Sequence, residues 1–506
     1  MIRFRVVLCF ILLVLAGCEG AGNQEPDNIN SNTVAPSNID LVLRNIIADK
    51  GLTGDPTEGR DLPTIFDPLA QLGMKLFFSK ALGGNRDSAC VTCHHPALGG
   101  VDGLSLAIGV GATQPDLLGP GRSHAVGEPG YDGGPTVPRN VLSTFNSALY
   151  DSSLFWDSRI ESLGKTPGAG GNDGQGIRTP DTPLDTAHFG MKNLLHAQAQ
   201  FPVTSAEEMR GFSFEAGNSN TELRAHLAAR LGNYGIGLGE LTSPQWVAQF
   251  RTVYGYLEPV ETLITFDRIA EAIATYEASQ TFVDTPWKNY VQGDNDAINY
   301  AAKLGALLFF KSLKEGGADC ASCHSGDFFT DEQHHVVAIP QIGRGKGDGP
   351  TGDDDFGRFR ETRDPSDMYA FRTSNLYNLK VSGPYGHSGA YADLQGVVRH
   401  HLNPMRALDN YDITQLASNI QRENLIRNTR SALSQLDANR AAGVTPVLQN
   451  VSLSDNQISQ LLAFLDTLND PCVTNRICLS LWVPSPFDLD PDGLRIIAFD
   501  QNGAPL

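Results

Sequence analysis

"LGMKLFFSKALGGNRDSACVTCH" (residues 72–94) and "LGALLFFKSLKEGGADCASCH" (residues 304–324) are one pattern written twice. Each opens on an apolar helix end, LGxxLFF, crosses a short polar loop and closes on C-x-x-C-H. The closing pattern matches what covalent c-type haem requires: two thiols reach the two vinyl groups, and the adjacent histidine turns back to bind the iron. A thioredoxin-like redox pair or half of a zinc site also uses C-x-x-C, but neither needs the histidine. The chain has 8 cysteines and 12 histidines in 506 residues. Random placement would give about 0.003 such motifs per chain, so two of them inside repeating flanks mark two haem units. The first is expected on Cys90, Cys93 and His94, the second on Cys320, Cys323 and His324.

The remaining patterning is helical. "FDRIAEAIATYEASQ" from Phe266 and "SDNQISQLLAFLDTL" from Ser454 carry apolar residues at helical spacing, and Ser454 with Gln457 forms a capping box. Strand signals are sparse, and long Gly/Pro-rich loops intervene, notably "GKTPGAGGNDGQGIRTPDTP" from Gly164. The expected fold is mainly α: two cytochrome c-like haem domains with long Gly/Pro-rich loops, over 46–260 and 261–450. A C-terminal helix and tail follow over 451–506, where Cys472 and Cys478 in "DPCVTNRICL" are expected to form a disulfide.

At the other end, residues 1–17 combine Arg3 and Arg5 with an apolar run too short for a comfortable membrane span. "LAGC", ending at Cys18, resembles the lipobox of bacterial lipoproteins, which implies cleavage before Cys18 and lipidation of its sulfur. An ordinary cleaved signal with an incidental cysteine is the alternative. The polar stretch that follows predicts a flexible tether over 18–45. The expected location is the periplasmic side of a bacterial membrane, lipid-anchored, with the outer membrane favoured because Glu19 gives no clear retention signal for the inner one. A formal net charge of −19 argues against nucleic acid as a partner. It suits basic partners such as small cationic cytochromes, although scattered acids also serve solubility.

Further motifs follow in a fixed order. "GGVDGLSLAIGVG", "PRNVLSTFNSALYDSSLFWDSRIESL" and "LHAQAQFPVTSAEEMRG" come after the first haem motif; "FFTDEQHHVVAIP", "GRFRETRDPSDMYAFRTSNLYNL" and "GPYGHSGAYADLQGVVRHH" come after the second. From about Leu72 to about Leu468 the chain resembles the bacterial di-haem cytochrome c peroxidase and MauG superfamily. The resemblance implies a first haem that meets peroxide and a second that transfers electrons. The first therefore needs an open sixth position, the second two fixed ligands. Some members place a removable histidine in the "IGxG" segment; Val110 stands there, so the first iron is expected to be open. His124 in "GPGRSHAVGEPG" is either a substitute ligand or a solvated loop histidine.

The resemblance also assigns roles. Gln198 and Glu208, with Met209 completing the motif, match the distal glutamine and glutamate, so Glu208 would carry a proton between the peroxide oxygens and Gln198 would orient the peroxide. Trp156 matches the tryptophan that relays electrons between the haems, where composition alone would read it as core. Asn140, Ser382 and Pro384 match an inter-haem calcium site, with Ser382 in place of the usual threonine. The segment between Trp156 and Gln198 is longer than in typical members and is expected to cover the haem edge or shape an entrance.

In "VVRHHLNP" (397–404) two histidines stand side by side. Members of the family supply the second iron's other ligand fourteen residues after the histidine of "PYxH"; counted from His387, that is His401. Leu394, Val397, Val398 and His401 share one helical face, which places His401 on the buried side and His400 off it. Met405 is a rival ligand, and a core histidine without metal contact is the third reading. A bis-histidine haem has a lower potential than a methionine-ligated one. The expected function is reduction of hydrogen peroxide at the first haem, with electrons from a small donor protein, cytochrome c or cupredoxin, relayed through the second. The alternatives are MauG-like oxidation of a protein or aromatic substrate and a non-catalytic electron-transfer or redox-sensing cytochrome.

Overall fold

The computed structural model describes residues 37–183, 186–242 and 244–506. The signal segment, Cys18 and the tether up to residue 36 lie outside them. The tether does not run to residue 45. Ser37 and Asp40 form a capping box that opens a helix over Asn38–Asp49, whose Leu43 and Ile47 are buried. Asp40 is buried too, and it pairs with Lys303 Nζ at 2.7 Å and accepts from the Tyr290 hydroxyl at 2.9 Å. The polar first turn hides this helix in the sequence.

The architecture is mainly α, with only short antiparallel strands: Ser153–Leu154, Ile160–Ser162 and Ile177–Arg178 in one sheet, His334–His335 against Phe371–Arg372 in another. No helix among the described residues is long and apolar enough to cross a membrane. The LGxxLFF repeats form helices over Pro68–Phe78 and Tyr300–Phe310. Each crosses a second helix at its glycine. A Cβ on Gly73 would sit 1.9 Å from the Ala272 carbonyl oxygen and 2.8 Å from Tyr276 Cβ. A Cβ on Gly305 would sit 1.9 Å from the Gln460 carbonyl oxygen and 2.9 Å from Phe464 Cβ. The repeated LG is thus a backbone-to-backbone contact made twice, each time against residues i and i+4 of the partner helix.

Those partners redraw the boundaries read from the sequence. Helix Phe266–Ala278, placed in the second unit, completes the first core, where Ile269, Ile273 and Tyr276 pack with Leu76, Phe77 and Phe78. Helix Asp455–Asp466, assigned to the tail, completes the second, where Leu461, Phe464 and Leu465 pack with Phe309, Phe310 and Phe329. The chain after it returns to the first unit. Ile496 N donates to Phe78 O at 2.9 Å, and the Asp492 carboxylate accepts from Ser79 Oγ at 2.8 Å and Trp246 Nε1 at 2.7 Å. Cys472 and Cys478 are joined in a disulfide on this return path.

Gly73→Ala and Gly305→Ala are each expected to cost about 3 kcal/mol, because the added methyl meets backbone and not a movable side chain. Thermal or denaturant unfolding of the two variants checks this; full stability in either would mean that the crossings can open without loss.

Candidate functional site

Two cavities, with about 1560 and 1500 Å³ of empty space, open beside the two repeats. Cys90, Cys93 and His94 line the first; Cys320, Cys323 and His324 line the second. The histidines show how well the donor set fits a haem iron. His94 Nδ1 hydrogen-bonds to the Gly100 carbonyl at 3.1 Å, and His324 Nδ1 to that of Phe329 at 3.2 Å. Each ring thereby donates its Nδ1–H to the backbone and keeps Nε2 free to ligate. Burial pushes both imidazoles down to about 4, so both are neutral at ordinary pH, the state that binds metal.

Gln198 and Glu208 reach the first cavity from different elements. Gln198 ends the short helix Leu194–Gln198, which Asn193 caps, and its buried Oε1 has no partner. Glu208 lies in a single π-helical turn, Ala206–Arg210, that Ser205 caps. Burial raises its carboxyl above the usual glutamate range, against the opposing pull of Arg159 and Lys346. The IGxG segment braces that turn from behind. Val110 N donates to Glu207 O at 3.2 Å, and a Cβ on Gly109 would lie 2.4 Å from the carbonyl oxygens of Glu207 and Glu208. Val110 is buried in this contact and is not on the cavity wall. His124 is off the wall as well and is not solvated: it is 6% exposed and stacks on Tyr131, with ring centroids 5.4 Å apart.

In the second cavity the structure brings His401 onto the wall beside His324, while Met405 is 43% exposed and off it. His401 Nδ1 donates to the Val397 carbonyl one turn back at 2.8 Å, which again leaves Nε2 free. The reading of His400 as the unburied neighbour is corrected. His400 is 0% exposed; its Nδ1 accepts from the Tyr391 hydroxyl at 2.8 Å and its Nε2 donates to the Val337 carbonyl at 2.7 Å. Helix Leu394–Leu402 lies between two cores, Val397 packing into one and Val398 with Leu402 into the other, so a single apolar stripe could not describe it.

Six residues line both cavities: Trp156, Arg372, Ser374, Leu379, Tyr385 and Gly386. Trp156 Nε1 donates to the Asn140 carbonyl at 2.9 Å. Asn140 Nδ2 donates to Pro384 O at 2.6 Å and to Gly386 O at 3.3 Å, and Ser382 lies on the same stretch of the first cavity's wall. An ion network anchors the tryptophan segment. Arg139 pairs with Asp157 at 2.6 Å and, through Nε and Nη2, with both oxygens of Asp355 at 2.6 and 2.8 Å. Burial would raise Asp355, but the Arg139 guanidinium wins and holds it at about 2.

Sequence reading missed Glu277 and Arg372. Glu277 lines the first cavity with Oε2 unpartnered, and burial pushes its carboxyl up to about 8. The only sequence signal was an acid in the apolar stretch "AIATYEASQ". The Gly-rich segment from Gly164 is tied back to the first unit by Asp151, whose carboxylate accepts from Gly168 N at 2.8 Å and Gly170 N at 2.7 Å.

The profile of the di-haem cytochrome c peroxidase family matches residues 67–296. The methylamine utilization protein MauG of Methylorubrum extorquens is 26% identical over 334 residues, covering 65% of this chain and 67% of that protein. The cytochrome c551 peroxidase of Pseudomonas aeruginosa is 27% identical over 345 residues, covering 68% and 73%. Among solved structures, the diheme peroxidase BthA from Burkholderia thailandensis superposes with a TM-score of 0.53 at 19% identity, over 87% of this chain and 92% of that one. A MauG-like protein associated with microbial copper homeostasis gives the same TM-score, 0.53, at 20% identity, over 85% and 98%.

His400→Ala is expected to cost about 3 kcal/mol, because it leaves the Tyr391 hydroxyl and the Val337 carbonyl buried without partners. Comparing its unfolding midpoint with that of His401→Ala checks the assignment; an unperturbed His400→Ala would show that the latch is idle.

Proposed function

We propose that the chain is a member of the di-haem cytochrome c peroxidase family, whose profile it matches over residues 67–296, and that it reduces hydrogen peroxide at the Cys90/Cys93/His94 site with electrons delivered through the Cys320/Cys323/His324 site. The observation that carries this reading is the meeting of Gln198 and Glu208 in the cavity of the first C-x-x-C-H, whose wall, with Val110 off it, holds no histidine besides His94 among the described residues. Bound there, a haem supplies an iron that binds peroxide and exchanges electrons with it. The chain's own residues supply positioning and protons. The unpartnered Oε1 of Gln198 accepts a hydrogen bond from the peroxide and fixes its direction. The Glu208 carboxylate, a stronger base than an exposed glutamate because burial raises it, takes the proton from the inner oxygen and returns it to the outer one as the O–O bond breaks. Trp156, on both cavity walls with its N–H fixed by Asn140, is placed to relay electrons between them. A calcium ion at Asn140, Ser382 and Pro384 would need the Asn140 amide turned over, so that Oδ1 joins the Pro384 carbonyl. The two units are cytochrome c-like in this reading. The donor is a small cytochrome or cupredoxin, and the protein faces the periplasm on a Cys18 lipid anchor.

One observation favours a second reading. His401 on the wall opposite no methionine gives the second haem two imidazoles and a low potential, which suits storage of oxidising equivalents and MauG-like oxidation of a protein or aromatic substrate. Donor oxidation in step with peroxide loss separates the two.

Glu208→Gln should keep both haems and lower turnover about 10²- to 10⁴-fold, the usual worth of one general acid/base. Turnover of the unmodified protein should fall as the pH drops through the raised Glu208 value, since the protonated carboxyl cannot accept; an acid limb at the ordinary glutamate value would contradict the assignment. For the second site, His401→Ala should turn a low-spin haem high-spin in ultraviolet-visible and EPR spectra, and His401→Met should stay low-spin at a higher potential. A low-spin signal that survives His401→Ala and disappears in Met405→Ala would overturn the bis-histidine assignment.

A further inference from the structure

Arg372 is the least compensated buried charge at the junction of the two cavities. It is 3% exposed, and its side chain lines both. Its backbone N–H donates to Trp156 O at 2.9 Å and its Nε to Phe155 O at 3.1 Å, while the guanidinium lies 4.0 Å from the centre of the Tyr150 ring. Nη1 has no partner at all. The nearby Glu332 carboxylate does not serve it, because that group spends its oxygens on the backbone N–H groups of Asp151, Ser152 and Ser153. Glu332 is close enough to feel the charge, but a guanidinium held in the interior with no carboxylate bonded to it is expensive, and buried charges are as a rule paired. The contrast with Arg139, whose buried charge meets two aspartates a short way along the same junction, shows that the chain can supply carboxylates here.

The missing anion has a chemical identity. Each haem carries two propionate carboxylates on the edge away from its vinyl groups, and Arg is suited to a planar carboxylate through its fork of N–H donors. We infer that Arg372 binds haem propionate at the junction and is the shared cation of both haems, fastening that propionate to the backbone of the Phe155–Trp156 segment. This rests on the di-haem reading above and adds a cofactor-binding residue to it. A cation shared by both cavities acts on both irons in one direction. It disfavours the more positive, oxidised state of each, so it raises both potentials together, and it sets the propionate against the indole through which electrons pass.

The test is equilibrium redox titration of the purified holoprotein and of Arg372→Gln and Arg372→Lys. The glutamine variant should shift both midpoint potentials downward, and the lysine variant should restore most of the shift. Unmoved potentials, or a shift confined to one haem, would overturn the shared role. Should the glutamine variant fail to fold, resonance Raman of the lysine variant decides: the propionate bending modes should move when a single ammonium replaces the fork, and unmoved modes overturn the assignment. A haem assay on the unsubstituted protein guards the premise separately, since fewer than two haems per chain would sink the di-haem reading and not the placement of Arg372.

Discussion

Neither cavity can form until two helices touch backbone to backbone. At Gly73 and again at Gly305 the crossing leaves no room for a single methyl group, and the phenylalanines of each LGxxLFF are carried by that contact to the position behind the haem motif. In the first unit Phe77 then lies with its ring centroid 6.5 Å from His94 and 5.0 Å from Tyr276, so the crossing helix, the C-x-x-C-H loop and its histidine form one packed block. In the second unit Phe309 and Phe310 stack around Phe464 at 5.1 and 5.8 Å in the same manner. The repeat in the sequence is the trace of this shared constraint.

The constraint also explains what the sequence hides. The two C-x-x-C-H motifs stand out because haem attachment demands a fixed linear spacing, and Gln198, Glu208, Trp156 and His401 stand out because motifs of the resembled family carry them; all four line the cavities, whatever their roles. The domain limits were not legible, because each core is closed by a helix remote in sequence: Phe266–Ala278 lies 188 residues or more beyond its partner's end at Phe78, and Asp455–Asp466 comes after the whole of the second unit. His400 was misread because periodicity assumes one buried face, and its helix has two. Arg372 and Glu277 left no pattern, since a lone charge in an apolar stretch is as compatible with a solvated helix face as with a cavity wall.

From a common scaffold the two cavities then part company, and the difference is mostly one of protons. The first is walled by two carboxyls that burial pushes up, Glu208 and Glu277, the latter to about 8. Each therefore holds its proton to a higher pH than an exposed glutamate does. Four histidines stand on the wall of the second, His324, His335, His387 and His401, together with the Asp319 carboxyl, which burial also raises. Burial pushes His324 and His387 down to about 4 and lowers His401, so these rings stay neutral and hold fixed hydrogen bonds or metal. His335 is the exception: burial works against it, but its bond to Asp331 prevails and raises it to about 10, so its charge too is constant near neutrality.

Peroxide reduction needs both protons and electrons at one oxygen–oxygen bond, whereas a relay site works best when nothing around it titrates, because every proton taken up with an electron adds reorganisation to the transfer. Glu208 and Glu277 stand on the wall of the first cavity and four histidines on that of the second, with Trp156 on both. The wall between them is pinned by Arg139 through Asp157 and Asp355 and by Arg372 through the carbonyls of Phe155 and Trp156. The Trp156 indole N–H is tied to a backbone carbonyl, which is no base, so the relay role proposed above would pass an electron without a proton. The same LGxxLFF scaffold therefore carries two differently walled cavities, and the side chains of the shared wall stand between them.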